Sequence, residues 1–226
     1  MPNAGSPAPT LPTPQKKRRD RLIALTETHP DWVLGFGDEV WWSRLASPEL
    51  HGWQSKDAPL RLLEQTCAKD DPDAKALACY GVLVRLRQPG AAATEQMLLR
   101  FVDGRPVSAV SIDFLQWCSE RLHAMGKTAL LLIWDNASWH ISKAVRSWIR
   151  AHNRRVKQGE AGVRLVLCLL PSKSPWLNAI EPKWVHGKRA VVEPDRLLTA
   201  QEIADRACAY YGCTYEPHLV QPQKAP

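Results

Sequence analysis

The sequence contains no C-x-x-C pair, no clustered Cys/His ligand set and no internal repeat. Those absences argue against a structural zinc module and a solenoid. Its longest strongly apolar stretch, Thr128 to Trp134, falls far short of the roughly 20 residues that cross a bilayer. The first 14 residues hold Pro at 2, 7, 9, 12 and 14 and no apolar segment, so a secretory signal is not expected. The cysteines Cys67, Cys79, Cys118, Cys168, Cys208 and Cys213 mostly fall inside apolar patterns and read as reduced core residues of a cytosolic protein. What is present, 226 residues with 45% hydrophobic and 23% charged side chains, suits one domain with a real core plus a tail.

Acidic residues are the scarcer charge, 23 against 30 Lys and Arg, and the deficit is local. Residues 1–135 balance at 16 of each sign, residues 136–190 carry 11 basic against 2 acidic, and residues 191–226 carry 3 against 5. The whole excess therefore lies in one block, where a polyanion such as DNA would gain from counterion release. A plain solvated basic helix would look the same on charge alone.

Apolar spacing predicts a strand over 32–38 with 39–45 as its hairpin neighbour, then strands over 76–86 and 97–102. A helix over 108–125, a buried strand over 128–134, a basic helix over 141–156 and a second buried strand over 163–170 follow. Further helices start near 178–181 and span 199–211. The expected class is α/β, a mixed sheet flanked by helices. Residues 1–31 read as a disordered Pro-rich and basic N-terminal segment, 32–212 as the domain and 213–226 as a C-terminal tail.

Three acids stand at predicted element ends. Asp135 closes Leu-Leu-Leu-Ile-Trp-Asp, and ligand sites in α/β sheets form outside strand carboxyl ends. Asp-Asn also starts ordinary turns. Asp38 and Glu39 follow Gly37, and strand alternation lets only one of them face a given side. Glu181 precedes Pro182, which is tolerated in a helix's first turn, so a helix begins there. Asn178 and Glu181 also stand at capping-box spacing, an ordinary structural role. Brought together at one sheet edge, carboxylates without Cys or His suit Mg²⁺ or Mn²⁺, and two such ions can clamp an in-line phosphoryl displacement.

Gly37-Asp38-Glu39, Trp134-Asp135-Asn136-Ala-Ser-Trp-His140 and Ser174-Pro-Trp-Leu177-Asn178-Ala-Ile-Glu181-Pro-Lys-Trp184-Val-His-Gly-Lys188 resemble the catalytic domain of DDE transposases. More narrowly, they are similar to the bacterial insertion-sequence relatives of mariner. The resemblance covers about 32–188 and implies a ribonuclease H-like fold with two bound Mg²⁺ or Mn²⁺ ions. By it, Asp38, Asp135 and Glu181 form the catalytic and metal-binding triad, with Asp38 preferred over Glu39. Glu39, Asn136, His140 and Asn178 are expected to support them. Arg146, Arg150, Arg154, Arg155, Lys173, Lys183, Trp184 and Lys188 are expected to contact DNA, with Trp139 and Trp176 as further aromatic candidates.

The implied partners are double-stranded DNA at transposon ends and target, an upstream helix-turn-helix polypeptide and a second copy of the chain, in a bacterial cytoplasm near the nucleoid. Three departures stand out. Ala179 replaces a usual Pro, the stretch from Asp135 to Glu181 is long with 153–162 expected as its extra loop, and about 31 residues precede the domain. That last feature predicts a truncated copy or the second product of a split frame. A non-catalytic remnant that only binds nucleic acid is the competing expectation.

Overall fold

The computed structural model describes residues 14–45, 67–87, 92–172, 174–191 and 196–221. Helix α1 (Pro14–Thr28) leads into strands β1 (Trp32–Ser43), β2 (Ala76–Leu86) and β3 (Thr94–Asp103). These are followed by α2 (Ser108–Ala124), β4 (Ala129–Trp134), α3 (Lys143–Lys157) and β5 (Arg164–Leu169). A 3-10 turn (Pro175–Leu177), α4 (Glu181–Val191), α5 (Ala200–Tyr211) and β6 (Leu219–Val220) complete the order.

The six strands form one sheet in the order β5-β4-β1-β2-β3-β6. β1, β2 and β3 run as an antiparallel meander, while β4 and β5 add in parallel beside β1. β4 lies between β5 and β1 and is buried along its whole length, which is why it reads as an unbroken apolar run rather than an alternating one. Alternation elsewhere sorts the core into two faces. Leu34, Phe36, Val40 and Trp42 pack with residues of α1, α4 and α5, whereas Val33, Tyr80 and Val82 pack with residues of α2 and α3.

Four expectations change. The hairpin break placed after residue 38 does not exist: β1 continues through Glu39 to Ser43, because Val40 and Trp42 bury on the same face as Phe36. The N-terminal segment is not a separate disordered unit over its described part, since α1 lies against β1, β4 and β5 and buries Leu22 and Thr26. Nor is 213–221 a loose tail. β6 pairs with β3, and Glu216 joins Arg100 and Arg121 through ion pairs at 3.4 and 2.9 Å. The loop expected over 153–162 starts only after Lys157, and Gly159 and Gly162 take its positive φ angles of 99° and 140°.

Candidate active site

β1 and β4 run in parallel with Phe36 opposite Ile133, so the same register carried two residues further sets Asp38 beside Asp135. Neighbouring strands lie about 4.8 Å apart, and both aspartates continue the face of Phe36 and Ile133. α4 covers that face, and Glu181 opens it. Sheet register and one helix start thus bring the three acids, separated by 97 and 46 positions, to one place. Asp135 and Glu181 line an open cleft of about 360 Å³ with Asn136, Pro171, Ser174 and Asn178.

The charge state records this crowding. Burial, then the negative charges of Glu181, Glu39 and Asp135, push the Asp38 carboxyl up to about 8. Glu181 is raised by burial and by Asp135, with Lys188 opposing. At Asp135 burial also acts upward, but hydrogen bonds from His140 and the Ala137 amide outweigh it and hold the group below its ordinary value. His140 is entirely buried, which alone would favour the neutral ring. Its contacts with Asp135 and Glu39 more than offset that and raise it.

The supporting residues resolve into distinct roles. The helix after Asp135 is capped by Ser142, whose hydroxyl accepts from the Val145 amide at 3.2 Å, so His140 is not the cap. It contacts Asp135 instead, Nδ1 to Oδ1 at 2.6 Å, and its Nε2 lies 3.0 Å from Glu39 Oε2. That second contact has ion-pair distance but poor hydrogen-bond alignment, leaving both atoms without a well-formed bond. Glu39 faces away from Asp38, as alternation requires, and reaches the site only through His140.

Asn136 donates to the Leu170 carbonyl and ties the end of β4 to the end of β5. Asn178 does not cap α4 with its side chain. Its amide donates 2.9 Å to the Gly37 carbonyl, pinning the 3-10 turn to β1 next to Asp38. The capping box of this region belongs to Thr199 and Glu202 at α5. The Glu181 side chain is therefore left with no hydrogen bond among the described residues, while its backbone amide donates 3.2 Å to the Asn178 carbonyl.

The expected DNA contacts separate. Trp184 is not on the surface: its relative exposure is 3%, and its indole N–H donates 3.1 Å to Asp38 Oδ2. α4 turns that side chain inward because the ring fills the space over Gly81, where a side chain would collide with it. The sequence offered a signal for this, since Trp184 follows Glu181 by three positions on one helical face. Trp139 is half-buried, whereas Trp176 is 76% exposed on the rim of the cleft.

Arg146, Arg150, Arg154 and Arg155 are exposed on α3 and do not line the cleft. Arg155 pairs with Glu160 at 3.1 Å. Lys188 is exposed, and Lys183 pairs with Glu95 at 3.0 Å. Lys173 lies outside the described residues. Two contacts had no counterpart in the sequence reading: Arg19 donates 3.2 Å to the Leu177 carbonyl, and Arg44 is buried against Asp71 at 2.9 Å.

A family model described as DDE superfamily endonuclease matches residues 33–203, most of the chain. The chain belongs to that family. Among solved structures, this DDE domain is similar to a Mos1 transposase paired-end complex with left transposon end, at 12% identity and a TM-score of 0.58. It is also similar to the Mos1 mariner paired end complex with Mn, at 13% identity and 0.54. Each match covers 95% of this chain and 60% of the other, so the DDE chain spans about three-fifths of those Mos1 chains. At such identity the likeness shows the fold, which is ribonuclease H-like. Comparison with curated protein sequences finds no match. Among the described residues no helix is long and apolar enough to cross a membrane.

The donor set of the DDE site fits a hard cation. It offers carboxylate oxygens only, and the raised Asp38 carboxyl marks a place where positive charge is wanting. Among the described residues, no three His, Cys, Asp or Glu side chains are grouped so that they could hold an ion by themselves. Mg²⁺ does not need such a cage, because it is commonly bound by one or two carboxylates completed by substrate phosphate and water.

Proposed function

We propose that the chain is a transposase catalytic domain that cleaves and joins DNA with divalent metal, using Asp38, Asp135 and Glu181 as its acids. The observation that carries this reading is the meeting of these acids at one end of the sheet within a DDE fold: Asp135 and Glu181 line one cleft, and the buried Asp38 feels the charge of both. A non-catalytic remnant would have no reason to keep Glu181 and Asp135 where their charges raise the cost of ionising Asp38.

Asp38 and Asp135 would hold Mg²⁺ or Mn²⁺ from the sheet, and Glu181 would complete a second ion from α4. When bound, the pair supplies positive charge to the attacking and leaving oxygens of an in-line displacement at phosphorus. In the first step water attacks the phosphorus and the P–O3′ bond breaks, leaving a 3′-hydroxyl and a 5′-phosphate. In the second that hydroxyl attacks target DNA and displaces another 3′-oxygen. Asn178 holds the turn carrying Trp176 against β1, and Lys188 stands exposed beside Glu181, able to meet a phosphate. The arginines of α3 would hold the duplex backbone outside the cleft.

The same reading places the chain among bacterial insertion-sequence relatives of mariner. Transposon ends and target DNA would be its substrates, an upstream helix-turn-helix polypeptide its end-reader, and a second copy its partner in synapsis. The test is thermal: Mn²⁺ should relieve the repulsion and raise the melting temperature of the parent. Asp135→Asn should lose most of that rise. An equal rise in both proteins would refute a shared site.

A further inference from the structure

We infer that the fold ties down one oxygen of each aspartate and leaves the other as a single-oxygen donor, making Trp184 and the His140–Glu39 pair positioning residues for the cation. The inference rests on the metal-dependent reading above. At Asp38 the tied atom is Oδ2, which accepts the Trp184 indole N–H at 3.1 Å in a buried setting. That indole cannot turn away. One edge fills the space over Gly81, and the ring meets Trp42 and Tyr211 edge-on at 6.2 and 5.8 Å. Tyr211 is itself fixed, its hydroxyl donating 2.7 Å to the Lys183 carbonyl.

At Asp135 the tied atom is Oδ1, which accepts from His140 Nδ1 at 2.6 Å and from the Ala137 amide at 3.0 Å. The His140 ring packs on Trp134 with centroids 3.7 Å apart, and Glu39 stands behind its far nitrogen. Among the described residues no side chain donates to Asp38 Oδ1 or to Asp135 Oδ2. Each aspartate is thus anchored from the opposite side of the sheet to its neighbour: Asp38 from α4, Asp135 from the α2–α3 side.

The consequence is one of metal choice. A carboxylate with one oxygen committed binds a cation through the other alone. Mg²⁺ and Mn²⁺, with a near-octahedral demand, are served by fixed single-oxygen donors, whereas Ca²⁺ favours more numerous and often bidentate ones. Trp184 and His140 should therefore set discrimination between these ions and not merely hold the fold. Loss of a partner behind a metal ligand typically weakens metal affinity about 10–100-fold.

The experiment is calorimetric titration of Mn²⁺ and of Ca²⁺ into the metal-free full chain, for the parent and for Trp184→Phe, His140→Ala, His140→Asn and Glu39→Gln. Trp184→Phe deletes the N–H and also opens part of the space over Gly81, so its loss is read beside a thermal melt that reports the packing change. His140→Asn retains an N–H where Nδ1 stood. Mn²⁺ affinity is expected to fall about 10–100-fold in Trp184→Phe and His140→Ala, with Ca²⁺ affinity falling far less, so that the preference narrows. His140→Asn should recover most of the loss, and Glu39→Gln should fall between. Trp148→Phe, a half-buried residue of α3 that stacks on His152 and touches none of the acids, should bind as the parent does.

Should Trp184→Phe unfold, the His140 pair still decides the matter at the other aspartate. Unchanged Mn²⁺ affinity in Trp184→Phe and His140→Ala overturns the inference while leaving the metal reading intact. Equal losses for Mn²⁺ and Ca²⁺ overturn it too, as a purely structural effect. A parent that shows no Mn²⁺ binding sensitive to Glu181→Gln overturns both.

Discussion

The cleft and the outer face of α3 lie a few residues apart in sequence and solve opposite problems. The site draws Asp38, Asp135 and Glu181 together from three chain positions, and burial with the neighbouring negative charges raises Asp38. On α3, Arg146, Arg150 and Arg154 recur at four-residue spacing along one exposed stripe. Stripe and cleft do not merge: α3 begins eight residues after Asp135, and Arg154 stands roughly 16 Å along the axis from the helix start. The lesson is that like charges kept apart in water need no partner to persist, whereas like charges packed together need a cation or a proton. The basic stripe is readable as a binding surface for a polyanion, and the acid cleft as a binding site for metal.

The sharpest way to break this comparison is at Glu181. It makes no side-chain hydrogen bond among the described residues, so Glu181→Gln should leave the fold in place. Nicking of supercoiled DNA with Mn²⁺ should fall by about a hundredfold or more, because a metal ligand contributes several kcal/mol to the displacement. A preparation in which Glu181→Gln nicks as fast as the parent would remove the third acid from the chemistry.

A smaller effect follows from Asp38. Its carboxyl, pushed up to about 8 from an ordinary 3.8, holds a proton in the metal-free fold that the unfolded chain releases above about pH 4. The unfolded state then binds fewer protons, so this group's contribution is full below pH 4 and is lost as pH rises toward 8. Asp38→Asn should abolish that loss. Metal-free, it should melt above the parent by several degrees at pH 8, with a gap that narrows toward pH 5. A gap independent of pH would mean the carboxyl is not repelled as described.

The smallest and most local effect belongs to α3. Replacing Arg146, Arg150 and Arg154 by Ala should flatten the dependence of duplex binding on salt by up to about 0.9 per lost phosphate contact. The Mn²⁺-induced rise in melting temperature should stay unchanged, since the stripe lies outside the cleft. Coupled changes in both measurements would show that the two regions are one site.

Much of the sheet was legible. β4 announced itself as an apolar run buried on both faces, and α2, α3 and α5 as helical spacing; β5 was rightly placed, but it is an edge strand and only partly buried, not the second buried strand expected. The break after Asp38 was misplaced because Gly37 and two acids mimic a turn, while only the burial of Val40 and Trp42 on the face of Phe36 shows why the chain continues. Trp184 was misassigned for a related reason: an aromatic residue beside lysines and an acid suits a surface, until the missing side chain at Gly81 makes room for it inside.

By itself the sequence determined which acids could act, where the elements run, and that positive charge gathers between residues 136 and 190. These are local properties, written in residue type and spacing. Only the tertiary structure decided that Asp38 stands beside Asp135, that Glu39 serves through His140 from the far face, and that Asn178 holds Gly37 instead of capping Glu181. Those outcomes depend on strand register and on which way a side chain leaves the sheet. A shift of one residue reverses both, so they are fixed by packing on the two faces together and not by any single segment.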